Sequence, residues 1–184
     1  MRTKTIPAVA AVFLTLAGSA WGQEIRLSSP DIAEGGTIKA AQVFKGFGCD
    51  GGNISPALAW SGVPAGTKSL ALTMYDPDAP TGSGWWHWVL YDIPPSLVRL
   101  PEGAGNPRSH AAPRGSVEGR TDFGTDAYGG PCPPPGAPHH YILTLYALNV
   151  ARLPVPSDAS AALIGFMIHA HTLGKGTLTG LYGR

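Results

Sequence analysis

Two short stretches carry the side chains best suited to chemistry. The first is Asp76-Pro77-Asp78-Ala79-Pro80, with His87 close behind it. The second is Gly129-Gly130-Pro131-Cys132-Pro133-Pro134, with His139 and Tyr141 close behind. In both, a stiff turn leads into a segment that bears a histidine. Proline fixes φ and restricts the residue before it, so these corners hold their side chains in defined directions. Two imidazoles and a phenol supply donors for phosphate or carboxylate oxygens, and a turn backbone adds N–H groups. Asp76 alone would repel an anion. It fits if it accepts from a ligand amine or hydroxyl, or buttresses a histidine, which points to a zwitterionic or hydroxylated ligand. Asp78 reads as a cap of nearby backbone N–H groups.

The elements that position these residues are mostly strands. Ser69 to Tyr75 alternates with both sides apolar, as in a strand buried on two faces, and Asp76 continues its even-numbered side. Trp86 to Asp92 and Ile142 to Val150 read as two more strands. Ile38 to Phe44, Ala57 to Trp60 and Thr177 to Tyr182 are shorter candidates. Alternation places Trp85, His87 and Val89 on one face and Trp86 and Trp88 on the other. It sets His139 and Tyr141 together and turns His140 away. One helix is signalled after Pro154 and Pro156, with Ser157 as cap, Asp158 in the first turn and Gly174 at the exit. Its stripe of Leu163, Phe166, Met167 and Ala170 is expected to pack on the core. Pro101 to Tyr128 shows no sustained period and is expected to be a long loop.

Rival chemistries fit less well. There is no GxSxG elbow and no GxxxxGK[ST] phosphate loop. Neither cysteine lies in a CxxC pair, and Asp76, His87 and His139 fall short of a zinc ligand set at the usual spacing, so no metal is expected. Basic and acidic residues nearly cancel, 13 against 12. Such a chain has no long-range field for nucleic acid, and nucleic-acid binding is set aside. Arg2 and Lys4 precede an apolar run from Ala8 to Ala17 and then small residues, the pattern of a signal peptide over 1–22 that ends at Ala20 or Gly22. The run is shorter than the roughly 20 residues of a membrane span; an uncleaved anchor is the alternative. Residues 23–184 are the length of a single domain in the periplasm or outside the cell. There the only two cysteines, Cys49 and Cys132, are read as a disulfide, with two separate buried thiols as the alternative.

With these residues the chain resembles the phosphatidylethanolamine-binding protein family, in particular its bacterial Raf-kinase-inhibitor-like branch. The resemblance spans nearly all of the mature chain. It includes Phe47-Gly48-Cys49-Asp50-Gly51, Asn53-Ile54-Ser55-Pro56, the DPDAP stretch, Trp85-Trp86-His87-Trp88, Gly119-Arg120, Asp122-Phe123-Gly124 and the run from Tyr128 to Pro134. It implies a mostly β fold, a sandwich of two antiparallel sheets with Greek-key connections and a C-terminal helix. It also implies a small anion pocket of Asp76, His87, His139 and Tyr141, walled by backbone of Gly130, Cys132 and Pro133. One departure is His139-His140-Tyr141 where the family commonly has His-Arg-Tyr. The expected function is a non-enzymatic, cofactor-free protein that binds a small phosphate-bearing or zwitterionic head group. The alternative is a protein-interaction module that inhibits a protease or kinase. An esterase or phosphatase is weakest, since no nucleophile is evident.

Overall fold

The structure, a computed structural model, describes residues 24–109 and 111–184; the expected signal peptide lies outside them. In chain order the strands are β1 (Arg26–Ser28), β2 (Gly36–Thr37), β3 (Lys45–Gly46), β4 (Cys49–Asp50), β5 (Leu58–Ser61) and β6 (Ser69–Asp76). They continue with β7 (Trp85–Ile93), β8 (Arg99–Leu100), β9 (Val117–Glu118), β10 (His139–Leu148) and β11 (Thr172–Tyr182), with helix α1 (Ala161–His171) before the last strand.

The fold is mostly β, as expected. A large sheet has the order β2-β11-β10-β6-β7-β9, a small one the order β1-β5-β8, and β3-β4 form a separate hairpin. Within the large sheet the run β10-β6-β7-β9 is a Greek key, because β10 returns to lie beside β6 after the β6-β7-β9 meander. Pairing is antiparallel except between β2 and β11, which run parallel.

Burial on both faces of β6, β7 and β10 explains why their sequences are apolar throughout. Leu70, Leu72, Met74, Trp88, Leu90, Leu143 and Leu145 pack with Leu27, Leu58 and Trp60 of the small sheet. Ala71, Val89, Tyr91, Tyr146 and Leu148 pack with Ile164 and Ile168 of α1. Each such aliphatic side chain contributes ~1.5–3 kcal/mol of burial. The central strands are thereby held from two sides.

Five expectations need correction. Ile38 to Phe44 is not a strand: Gln42 and Val43 donate to Lys39 O and Ala40 O, so the chain turns there while Ile38 and Val43 remain buried. The third long strand begins at His139, so His139 to Tyr141 sit on the sheet itself, and it stops at Leu148. The long segment after Pro101 is not all loop, since β9 pairs with β7. The helix starts after Ser160, whose hydroxyl caps Leu163 N, not after Ser157. Its buried face is Ala161, Ile164, Gly165 and Ile168, while Leu163 is 40% and Phe166 69% exposed. The small residues face the sheet because α1 packs closely on it: a Cβ on Gly165 would lie 3.3 Å from the Trp86 ring.

Candidate functional site

Asp76 ends β6 beside the first residues of β10, and that pairing creates the polar site. His139 Nδ1 lies 2.8 Å from Asp76 Oδ2. The other carboxylate oxygen, Oδ1, accepts from Asp78 N at 2.8 Å and Ala79 N at 3.1 Å, closing the DPDAP turn. Asp76 therefore buttresses His139 and has both oxygens engaged. Asp78 and His140 pair with each other at 2.7 Å on the exposed side, where the His140 amide also donates to Asp78 Oδ2. Those bonds, the backbone one foremost, hold the Asp78 carboxyl below its usual range.

His87 reaches the same place through a bulge in β7. The register runs Met74↔Trp88 and then Tyr75↔Trp86, which leaves His87 unpaired. Such an insertion re-aims side chains near it. It corrects the simple alternation: Trp88 joins the inter-sheet core and Val89 the helix side, while Trp85 and His87 both line the cavity. Nδ1 of His87 lies 2.7 Å from Gly129 O, and the ring meets Tyr141 edge-on. Burial pushes its pKa down to about 4, against the pull of the Gly129 carbonyl and Asp76. The ring is neutral at pH 7.

The cavity measures about 370 Å³. Its polar lining comes from Asp76, Thr81, His87, His139, Tyr141 and Arg184; Phe47, Trp85, Phe123 and four prolines form much of the rest. Tyr141 Oη and Trp85 Nε1 are buried without a hydrogen-bond partner among the described residues. Burial, reinforced by Asp76, pushes the Tyr141 pKa up, so its phenol keeps its proton and stays a donor. Thr81 Oγ1 is already given to Gly84 O.

The rim is tied together covalently. A Cys49–Cys132 disulfide with a Cα separation of 6.1 Å joins the β3–β4 hairpin to the second turn. Cys132 and Pro133 line the cavity, as does Phe47 at the hairpin tip. Gly130 does not line it: its amide donates to Asn53 Oδ1 at 2.8 Å, and a Cβ there would collide with the Gln42 carbonyl. Phe47, Trp85, Phe123 and Arg184 also line the cavity, and none of them is among the site residues that the sequence suggests. Phe123, in the Asp122-Phe123-Gly124 stretch, stacks beside Phe47 with ring centroids 5.9 Å apart. Arg184 donates from Nε to Pro133 O at 2.7 Å and from Nη2 to Phe47 O at 3.3 Å, which places a cation at the pocket. No periodicity could have signalled a residue so far along the chain from its neighbours.

Chemically, the arrangement offers fixed donors to an acceptor-rich group small enough for the cavity. Among the described residues, no three His, Cys, Asp or Glu side chains gather as a metal-holding group. A family model described as phosphatidylethanolamine-binding protein matches residues 28–183. The chain is 46% identical to the UPF0098 protein YbcL of Escherichia coli K12 over 99% of its own length and 98% of that protein's. It is 48% identical to YbhB of the same organism, over 86% of this chain and 99% of YbhB. The crystal structure of E. coli YbcL, described as a new member of the mammalian PEBP family, superposes with a TM-score of 0.85 at 48% identity. That match covers 88% of this chain and 99% of YbcL's.

Proposed function

The chain belongs to the phosphatidylethanolamine-binding protein family, and we propose that it is an exported, non-enzymatic protein that binds a small phosphorylated or other polar anionic head group. The ligand sits among Asp76, His87, His139 and Tyr141, and residues 23–184 form one domain once the signal peptide is removed. The observation that carries this is the pair of buried, unpartnered donors, Tyr141 O–H and Trp85 N–H, that line one cavity with both imidazoles. A buried donor without an acceptor costs ~1–3 kcal/mol. An oxyanion in the cavity supplies acceptors to both.

Binding is favoured over turnover because the candidate nucleophiles are spoken for. Cys132 is in the disulfide, Thr81 is bonded to Gly84 O, and the Tyr141 phenol is held protonated. The disulfide supports export, since such bonds persist in oxidising compartments. The reading is tested by titrating phosphoethanolamine into the protein and following the imidazole NMR signals of His87 and His139. Both are expected to shift. Silence toward every phosphate-bearing ligand tried would overturn the proposal.

A further inference from the structure

We infer that this pocket selects a phosphomonoester, which brings its own acidic proton, over a phosphodiester, because His87 presents a lone pair and not an N–H to the ligand. The inference rests on the anion-binding reading above and specifies its ligand class. The geometry starts from the Gly129 carbonyl, 2.7 Å from Nδ1. A carbonyl only accepts, so the ring hydrogen sits on Nδ1, and in the neutral ring Nε2 is then an acceptor. The one hydrogen bond that the ring makes to another described residue is through Nδ1, although the Gly130 backbone also favours a charged ring, and the ring lines the cavity.

The charged and titratable neighbours do not reverse this. Asp76 on β6 and Asp122 before Phe123 favour a charged ring, yet burial outweighs them and the ring stays neutral down to about pH 4. From β10, Tyr141 offers a neutral phenol and His139 is engaged with Asp76; Arg184 stands at the rim.

A diester meets this arrangement badly. Its two free oxygens only accept, so they can take the Tyr141 and Trp85 hydrogens but the diester has no hydrogen to give the Nε2 lone pair, which is left facing an acceptor or nothing. A monoester in its hydrogen-phosphate form has a P–OH. That group donates to Nε2 while the remaining oxygens accept from Tyr141 Oη–H and Trp85 Nε1–H. Whether the proton stays on oxygen or moves to Nε2, the complex holds one proton between the two groups and the total charge is the same. The second dissociation of a phosphomonoester lies near pH 6. Above it the dianion prevails, and binding draws one proton from solvent.

The test is calorimetric titration of the intact protein with phosphoethanolamine and with glycerophosphoethanolamine, a monoester and a diester bearing the same ammonium group. At pH 6 the monoester is expected to bind roughly tenfold tighter or better. Its affinity should fall by about tenfold per pH unit above pH 7, and paired buffers of different ionisation enthalpy at pH 7.5 should read an uptake of about one proton. The diester should show neither trend. A proton taken up by His139 would appear with both ligands, so the difference between them isolates His87. Equal affinities, or equal proton uptake, overturn the inference and leave the anion-binding reading standing. No binding of either probe at any pH overturns both. His87→Gln, whose amide can donate, should equalise the two ligands, and a preference that survives in it also overturns the inference. The wild-type titrations decide the matter should that variant fail to fold.

Discussion

Asp76 has both of its oxygens engaged within the protein, one on the turn amides and one on His139, so its first role is to fix the turn and the imidazole, and the pocket's free donors are other groups. Tyr141 is the clearest of these, because its hydroxyl is buried and has no hydrogen-bond partner among the described residues. Tyr141→Phe removes an unsatisfied donor and nothing else in size. Its stability is expected to be unchanged or up to ~1 kcal/mol higher, while affinity for inorganic phosphate falls roughly tenfold or more. Thermal melts and calorimetry on the same variant separate the two effects; a loss of stability with no loss of affinity would make Tyr141 a structural residue. At this scale the sequence was informative where a strand sets the spacing. Alternation on β10 put His139 and Tyr141 on one side and His140 on the other, and the structure has them so. Arg184 was illegible because its contacts, Pro133 O and Phe47 O, come from segments far away in the chain.

The elements show where pattern and packing part company. The bulge at His87 breaks the period-2 rule within four residues, so Trp88 and Val89 take the faces opposite to those alternation assigns. No residue type announces that insertion. Helix α1 departs from its pattern differently: its inner face combines Ile164 and Ile168 with the small residues Ala161 and Gly165, which allow close approach to Trp86, while Phe166 lies on the exposed side. Ile168→Ala is therefore expected to cost ~2–5 kcal/mol, and Phe166→Ala to stay within about 0.5 kcal/mol of the parent in urea unfolding. The reverse order would restore the stripe that the sequence suggested. The β3–β4 hairpin holds a second local conflict. Its two-residue tip, Phe47-Gly48, has φ of 52° and 83°, the left-handed pair of a type I′ turn that favours Asn-Gly. Phe47 sits there 66% exposed, against its own preference. Phe47→Asn should raise the melting temperature, corresponding to roughly 1 kcal/mol of relieved strain. An unchanged or lower melting temperature would show that packing of Phe47 against Phe44 and Phe123 outweighs it.

Across the whole molecule, the large sheet, the small sheet and the helix pack in three layers, and the titrating groups Glu118, His87 and Asp92 within them, of which His87 alone lines the pocket, set how stability depends on pH. Burial pushes Glu118 up to about 8, although Trp88 Nε1 donates to its Oε2 at 3.0 Å. Between its ordinary 4.5 and about 8 the folded protein then binds more proton than the unfolded chain, and stability falls as pH rises. Burial pushes His87 the other way, from 6.5 to about 4, so across that window the unfolded chain binds more proton and stability rises with pH. Asp92, also raised by burial, adds a slope of the same sign as Glu118 above its ordinary 3.8. From about pH 4.5 to 6.5 the His87 and Glu118 slopes oppose each other and leave little net change. Above 6.5 only the downward slope remains, and about 2 kcal/mol is lost by pH 8. Melting temperatures from pH 4 to 9 should therefore show a shoulder and then a decline. Glu118→Gln keeps an acceptor for the Trp88 indole and removes the titration, so the decline above pH 6.5 should flatten. If it persists in full, the buried carboxyl on β9 is not its source.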